Sequence, residues 1–154
     1  MDFHYRLEIP PTAIAAAGVI VQVKAATYPI AIEAVRLGQI SRTTSEIWRM
    51  RWTRKSAAAT VIAVTASPLP TSNPTAGFND PATGAYKASG GTLGTDGAGL
   101  GYAHWNLING EISDLLLPDD QIQLTTGEVV ALNLLSTPSG STDIAGYLLI
   151  RETR

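Results

Sequence analysis

The side chains that most often carry out catalysis or bind metals are scarce in this sequence. The chain of 154 residues has no cysteine and two histidines, His4 and His104, so disulfides, thiolate zinc ligands and thiol nucleophiles are excluded. A centre built on three histidines cannot form from two, although carboxylates could supply further ligands. No G-x-S-x-G motif is present to expose a serine nucleophile. The sequence therefore predicts a protein that is not an enzyme and that holds no metal or cofactor.

A glycine-rich run at residues 94–101 has the composition of a phosphate-binding loop but not its spacing. A P-loop ends in Gly-Lys-Ser or Gly-Lys-Thr, and this run contains no lysine. The dinucleotide-binding fingerprint requires G-x-G-x-x-G, and here the third glycine is misplaced. We interpret these glycines as part of a loop rather than as a cofactor site.

A cluster of basic residues suggests a binding surface. Five of the 11 lysines and arginines lie within 14 positions, opposed only by Glu46. The guanidinium groups of the four arginines among them suit carboxylates and phosphates alike. A solvated strand face is the alternative interpretation, and nucleic acid is disfavoured because the formal net charge is −2 and no nucleic-acid motif is present. The predicted partner interface consists of Arg42, Arg49, Arg51, Arg54, Phe78 and Tyr86.

Alternation of apolar and polar residues predicts the strands that would position this cluster. In residues 46–54, Trp48, Met50 and Trp52 fall on one face, and Arg49 and Arg51 on the other. This is the pattern of a strand with one buried face and one solvated face.

The first third of the chain shows the same alternation. Residues 3–9 place an apolar side chain at every second position, and Pro10-Pro11 is expected to end that strand. Residues 14–17 are expected to form a short helical turn. Residues 30–37 are predicted as a strand rather than a helix, because they are rich in β-branched residues and follow a proline.

Taken together, these segments predict an all-β fold. About eight or nine short strands and no long helix indicate an antiparallel β-sandwich, jelly-roll-like, in a single domain over residues 1–154. With 45% hydrophobic and 16% charged residues the chain is not disordered, and no apolar run is long enough for a membrane helix. Residues 1–27 are expected to form an N-terminal arm or an edge strand. Residues 67–101 are expected to form one long loop, because they hold eight of the 14 glycines.

The order of several short motifs resembles that of a family of small phage structural proteins, which are commonly encoded among virion genes. The resemblance runs from about Ile30 to the end of the chain. The motifs that carry it are Val35-Arg36-Leu37-Gly38-Gln39, the arginine-bearing segment 46–54, Thr65-Ala66-Ser67-Pro68-Leu69-Pro70, Asn73-Pro74-Thr75-Ala76, Trp105-Asn106-Leu107-Ile108-Asn109-Gly110, Leu117-Pro118-Asp119-Asp120-Gln121-Ile122, Gly127-Glu128-Val129-Val130-Ala131-Leu132 and Leu149-Ile150-Arg151-Glu152.

The resemblance implies a non-enzymatic β-sandwich protein that decorates or cements the outside of a capsid. Its partners would be the major capsid protein or other virion proteins and further copies of this chain, without direct nucleic-acid or membrane contact. It would reside in the virion, assembled in the host cytoplasm. A tail or neck component is the alternative within the virion. A glycan-binding jelly-roll module is the alternative from another class, with Tyr102, Trp105 and the glycine-rich loop as a stacking platform.

Overall fold

The computed structural model describes residues 2–41, 46–59, 61–64, 67–68, 83–88, 94–107, 110–115 and 121–153. In these ranges the chain forms twelve β-strands and no α-helix. The strands are β1 Asp2–Ile14, β2 Gly18–Ala25, β3 Ile30–Gln39, β4 Ile47–Ala57, β5 Val61–Val64, β6 Ser67–Pro68, β7 Thr83–Ala88, β8 Thr95–Asn106, β9 Glu111–Leu115, β10 Ile122–Leu124, β11 Val129–Leu134 and β12 Thr142–Thr153. None of the described segments is a helix long and apolar enough to cross a membrane.

The strands form two six-stranded antiparallel sheets that pack against each other. Sheet A has the order β10-β3-β12-β1-β6, with β9 also paired to β3, and sheet B has the order β5-β7-β2-β11-β4-β8. One cluster of buried apolar side chains combines both sheets, for example Leu7 and Leu148 of sheet A with Val21 and Leu132 of sheet B. The predicted antiparallel β-sandwich is confirmed, and the jelly-roll topology stays a prediction.

Strand β1 shows the predicted alternation but does not end where the sequence indicated. Phe3, Tyr5, Leu7 and Ile9 are all buried. β1 continues to Ile14 and stays paired with β12 on both sides of the prolines, although the register of the pairing shifts between Ile9 and Thr12. The expected stop at Pro10-Pro11 is therefore wrong, because the prolines displace the pairing by a bulge instead of ending it.

The first two strands lie inside the sheets. β1 is flanked by β12 and β6, and β2 is flanked by β7 and β11. The predicted N-terminal arm is therefore wrong, and the edge strand is wrong for β2, whereas β1 has a second neighbour only at Tyr5 and Arg6, where β6 pairs with it. The helical turn predicted at residues 14–17 is also wrong, because β1 runs to Ile14 and residues 16–17 form a bend. Val21 and Val23 of β2, like the alternating residues of β1, supply buried side chains to the core between the two sheets, so this part of the chain is built into the sandwich.

Strands also occur inside the predicted long loop. β6, β7 and the first half of β8 lie within residues 67–101, so a single continuous loop is wrong for these segments. The glycines of β8 are tolerated because, among the described strands, β8 pairs only with β4, and that pairing contains three register shifts between Trp52 and Ala57. Residues 69–82 and 89–93 lie outside the described residues.

Candidate functional site

The outer face of sheet B carries a group of exposed side chains at the β4–β8 pairing. Trp48, Met50 and Trp52 of β4 point into the core, so the alternate residues of β4 point outward. Tyr102 of β8 lies opposite Arg51, and His104 lies opposite Arg49. We call this group the Arg49 patch; its members are Ile47, Arg49, Arg51, Tyr102, His104 and Leu135.

The apolar members of the Arg49 patch are unusually exposed. Tyr102 is 66% exposed, Ile47 60% and Leu135 45%. Leu135 follows β11 and is fixed beside β4, because its amide donates to the Arg49 carbonyl at 2.9 Å. Exposed large apolar side chains gathered on one face, rather than scattered singly, are typical of a contact surface.

Arg51 is held across this face by three neighbours. Its guanidinium carbon lies 5.8 Å from the centre of the Tyr102 ring, and its Nε donates to Thr53 Oγ1 at 3.3 Å. Gly99 leaves room for it, since a Cβ at that position would lie 3.1 Å from Arg51 Nε. Arg49, by contrast, is exposed and forms no ion pair with any described residue. The patch therefore presents one ordered and one unneutralised guanidinium group.

Arg54 does not belong to the Arg49 patch, contrary to the sequence prediction. Its Nη2 donates to the carbonyl of Gln123 in β10 at 2.9 Å, and its Nη1 lies 2.8 Å from Glu128 Oε1. The hydrogen bond from the Thr125 amide is the main cause that holds the pKa of the Glu128 carboxyl below its ordinary value, and the positive charge of Arg54 is a smaller cause. Arg54 therefore links sheet B to sheet A at one end of the sandwich. This position agrees with simple alternation, because Arg54 shares its parity with Trp48, Met50 and Trp52 and pairs with Val130, a core residue.

The other predicted interface residues are not brought into this patch by the described structure. Arg42 and Phe78 lie outside the described residues. Tyr86 is in β7, opposite Gln22 of β2, and its side chain also lies outside the described part. Arg49 and Arg51 are thus the two predicted interface residues that the structure places together.

A polar cluster lies further along the same outer face. The Lys55 side chain is 2% exposed, and its Nζ lies 2.5 Å from Asp96 Oδ1. Asn133 donates from Nδ2 to both oxygens of Asp96, at 3.1 and 3.3 Å. The Lys55 ammonium in particular holds the pKa of the Asp96 carboxyl below its ordinary value. Lys55 and Asn133 are buried although they stand on the outer side of a sheet, so another segment must cover this part of the face.

The covering segment follows β4. The amide of Ala59 donates to Gln22 Oε1 at 2.8 Å, and Ala59 packs with Val19 and Ala131 in a small buried cluster. Gly94 lies against the same segment, because a Cβ on Gly94 would fall 2.3 Å from the Ala57 carbonyl oxygen. Gly94 also has φ +69°, which favours glycine. The segment after β4 thus crosses this part of the outer face of sheet B, and Gly94 at the start of β8 contacts it.

A cleft of about 410 Å³ opens beside this crossing. Its polar lining comes from the Lys55, Asp96 and Asn133 cluster, and Leu135 belongs both to the cleft and to the Arg49 patch. Asn133 Oδ1 is buried and has no hydrogen-bond partner. The remaining lining residues are Ala17, Gly18, Val19, Gly94, Thr95 and Leu134.

The two histidines lie in different sheets, so they form no common site. On sheet A, His4 Nδ1 lies 3.1 Å from Glu33 Oε2, and Arg151 donates to Glu33 Oε1 at 3.0 Å and to Asp2 Oδ2 at 3.3 Å. These contacts join β1, β3 and β12 across the outer face. The described residues contain no group of three or more histidine, aspartate or glutamate side chains that could hold a metal ion.

The predicted glycan platform is contradicted in part. Trp105 is 1% exposed and packs edge-to-face against Trp48, with ring centroids 5.6 Å apart. It therefore belongs to the core and presents no face to a sugar.

Sequence reasoning missed several members of the site for two reasons. Ile47 has the same alternation as Arg49 and Arg51, and this signal could have been read. The pairing of Tyr102 with Arg51, the position of Leu135 and the meeting of Lys55 with Asp96 depend on strand register, which no local pattern specifies.

Comparison of the chain with protein-family models, with curated proteins and with solved structures finds no match.

Proposed function

We propose that this protein is a non-enzymatic structural component of a phage virion, specifically a head decoration protein that binds the outer shell and further copies of itself. The observation that carries the proposal is the Arg49 patch on the outer face of sheet B. The motif order described above resembles that of small phage virion proteins, and the patch supplies a surface of the kind that such a role requires.

The composition of the Arg49 patch supports protein binding. Tyrosine and arginine are enriched at protein interfaces and among the residues that dominate binding energy, whereas lysine and glutamate are depleted. The six patch residues include one tyrosine, two arginines and two large aliphatic side chains, and no lysine or carboxylate. Five of the six project from the paired strands β4 and β8, so their backbone is already ordered and the entropy lost on binding is that of the side chains alone.

The charge of the Arg49 patch favours a partner surface that offers carboxylates. Arg49 has no carboxylate partner among the described residues, and Arg51 contacts a ring and a hydroxyl. A partner with carboxylates around an apolar centre would pair these guanidinium groups while covering Ile47, Tyr102 and Leu135. On a symmetric shell such contacts repeat, so individually weak binding is multiplied by valency.

A tail or neck component, the alternative within the virion, would use the same patch on a different partner. Location on the particle distinguishes it from a decoration protein. The glycan-binding alternative loses support, because Trp105 is buried in the core.

Binding to shells tests the proposal directly. Purified protein is mixed with empty shells assembled from the major capsid protein encoded in the same genome, and co-sedimentation and the thermal resistance of the shells are measured. We expect saturable binding and raised thermal resistance. Unchanged shell resistance at saturating protein would overturn head decoration, and immunogold labelling confined to the tail or neck would favour the alternative.

A further inference from the structure

The cleft beside the Lys55, Asp96 and Asn133 cluster adjoins the Arg49 patch through Leu135. We infer that this cleft receives an uncharged, extended segment of the same partner protein that covers the patch. The inference rests on the proposed function and deepens it, since it identifies a second, concave part of the interface and the chemistry that enters it.

Charge in the cleft disfavours an ionic ligand. Lys55 pairs with Asp96, and Arg51 lies close enough to contribute to the lowered pKa of the Asp96 carboxyl. A cationic group that approached Asp96 would meet two positive charges, and an anionic group would meet the carboxylate itself. The pair is therefore already neutralised, and the ligand group that fits is a neutral one.

Hydrogen bonding in the cleft requires donors from the ligand. Asn133 Oδ1 is a buried acceptor without a partner, and buried polar groups in proteins are nearly always hydrogen-bonded. Asp96 is the more accessible acceptor, because its side chain is 48% exposed. The backbone N–H of a peptide is a neutral donor that suits an acceptor of this kind, and side chains of an extended peptide alternate in direction.

The rest of the cleft suits the side chains of such a segment. Ala17, Val19 and Leu135 supply an apolar part of the lining beside the polar cluster. The volume of about 410 Å³ is in the range of small-ligand sites, so it accommodates a few residues of extended chain and not a folded element. Continuity with the Arg49 patch makes a segment of the patch-bound partner the occupant, rather than an independent small molecule.

Filling the cleft from its rim is the decisive experiment. Ala17→Trp places a large side chain at a residue that lines the cleft, and Ala16→Trp places the same side chain on an exposed neighbour that does not line it. Asn133→Ala is the second cleft variant, because it removes the unpartnered acceptor together with the two hydrogen bonds that Asn133 donates to Asp96. Thermal unfolding of each variant establishes that it is folded, and co-sedimentation with empty shells measures binding.

We expect Ala17→Trp and Asn133→Ala to bind shells about tenfold more weakly than wild type, as for loss of a well-buried interface contact, while Ala16→Trp binds as wild type does. If wild type binds shells and the cleft variants bind equally well, the inference is wrong and the proposed function stands. If wild type does not bind shells, the proposed function fails and this inference fails with it.

A parallel NMR titration of wild type with glucose, galactose, N-acetylglucosamine and maltose tests a different occupant of the cleft. Saturable chemical-shift changes at Thr95 and Asp96 would make the cleft a saccharide site and would overturn the inference.

Discussion

The guanidinium group of Arg51 lies 5.8 Å from the ring centre of Tyr102, on the neighbouring strand of sheet B. An arginine over an aromatic ring gains about 0.5–1 kcal/mol at an exposed site, and the contact also holds both side chains in one arrangement before a partner arrives. Ile47 and Leu135 flank this pair on the same face. The pair is therefore the centre around which the proposed interface is organised.

Reversing the charge of Arg49 should weaken assembly and leave the fold intact. Arg49 is exposed and has no ion pair with a described residue, so Arg49→Glu breaks no ion pair in the described part of the chain and repels an acidic partner. Binding to shells should fall by about tenfold or more, with a melting temperature close to that of wild type. Arg6→Glu is the matched control, because it makes the same change of charge on sheet A. Equal loss of binding in both variants would indicate a general charge effect rather than this surface.

Two aromatic residues of β8 should behave in opposite ways. Trp105→Ala should destabilise the fold by about 3–5 kcal/mol, because it empties a buried site packed against Trp48. Tyr102→Ala should change stability by less than about 1 kcal/mol and should weaken shell binding. Urea unfolding and co-sedimentation measure the two effects separately. A Tyr102 variant with unchanged binding would remove Tyr102 from the interface.

Gly94→Ala should be strongly destabilising, whereas Gly127→Ala and Gly101→Ala should lower stability much less. The new Cβ would meet the Ala57 carbonyl oxygen at 2.3 Å, and φ is +69°, so we expect a loss of about 3 kcal/mol or more. Gly127 has φ +88° but open space around it, and its alanine variant should lose about 1–2 kcal/mol. Gly101 has neither constraint and should be nearly neutral. Similar losses at Gly94 and Gly127 would show that backbone conformation alone, and not the crossing of segments, requires the glycine.

Gly146→Ala tests how closely β12 and β3 approach each other. A Cβ on Gly146 would lie 1.9 Å from the carbonyl oxygen of Arg36, whereas the nearest atom at Gly38 is 3.7 Å away. We expect Gly146→Ala to lower the free energy of unfolding by about 3 kcal/mol or more, and Gly38→Ala to change it by less than about 1 kcal/mol. Denaturant unfolding of both variants measures the difference. A tolerated alanine at 146 would mean that the two strands separate at little cost.

The contribution of Asp96 to stability should disappear in acid. Its pKa is lower in the folded state than in the unfolded chain because Lys55 pairs with the carboxylate. The unfolded chain therefore binds more protons in the acidic range, and stability rises with pH there. The contribution is complete above the ordinary pKa of 3.8 and is lost as the pH falls through the lower, folded-state pKa. Asp96→Asn should be less stable than wild type at pH 7, and the difference should shrink as the pH falls below 3.8. Glu8→Gln serves as the control, and a difference that is independent of pH would contradict the ion pair.

The alternation of apolar and polar side chains was the main signal from which the fold could be predicted. It located the cores of β1 and β4 and placed Arg49 and Arg51 on an outer face, because the period of a strand determines which side chains share a side. It failed at Pro10-Pro11 and in the glycine-rich start of β8, where sheet pairing overrides local preference. Arg54 was grouped with Arg49 and Arg51 because it is close to them in sequence, although alternation places it on the opposite face of β4. The cleft was not predictable, since Lys55, Asp96 and Asn133 come from three strands that meet only in the folded sheet.

The pairing of β1 with β12 determines when the molecule can acquire its native form. β12 is an inner strand of sheet A, hydrogen-bonded to β3 on one side and to β1 on the other. During synthesis on the ribosome, β1 and β3 must wait for residues 142–153 to emerge before they can be joined. Contacts between residues so distant in sequence make folding slow and leave strands unpaired in the nascent chain. We therefore expect sheet A to stay incomplete until residues 142–153 have left the ribosome, and the intermediates that precede this step to be the species most exposed to chaperones and to aggregation.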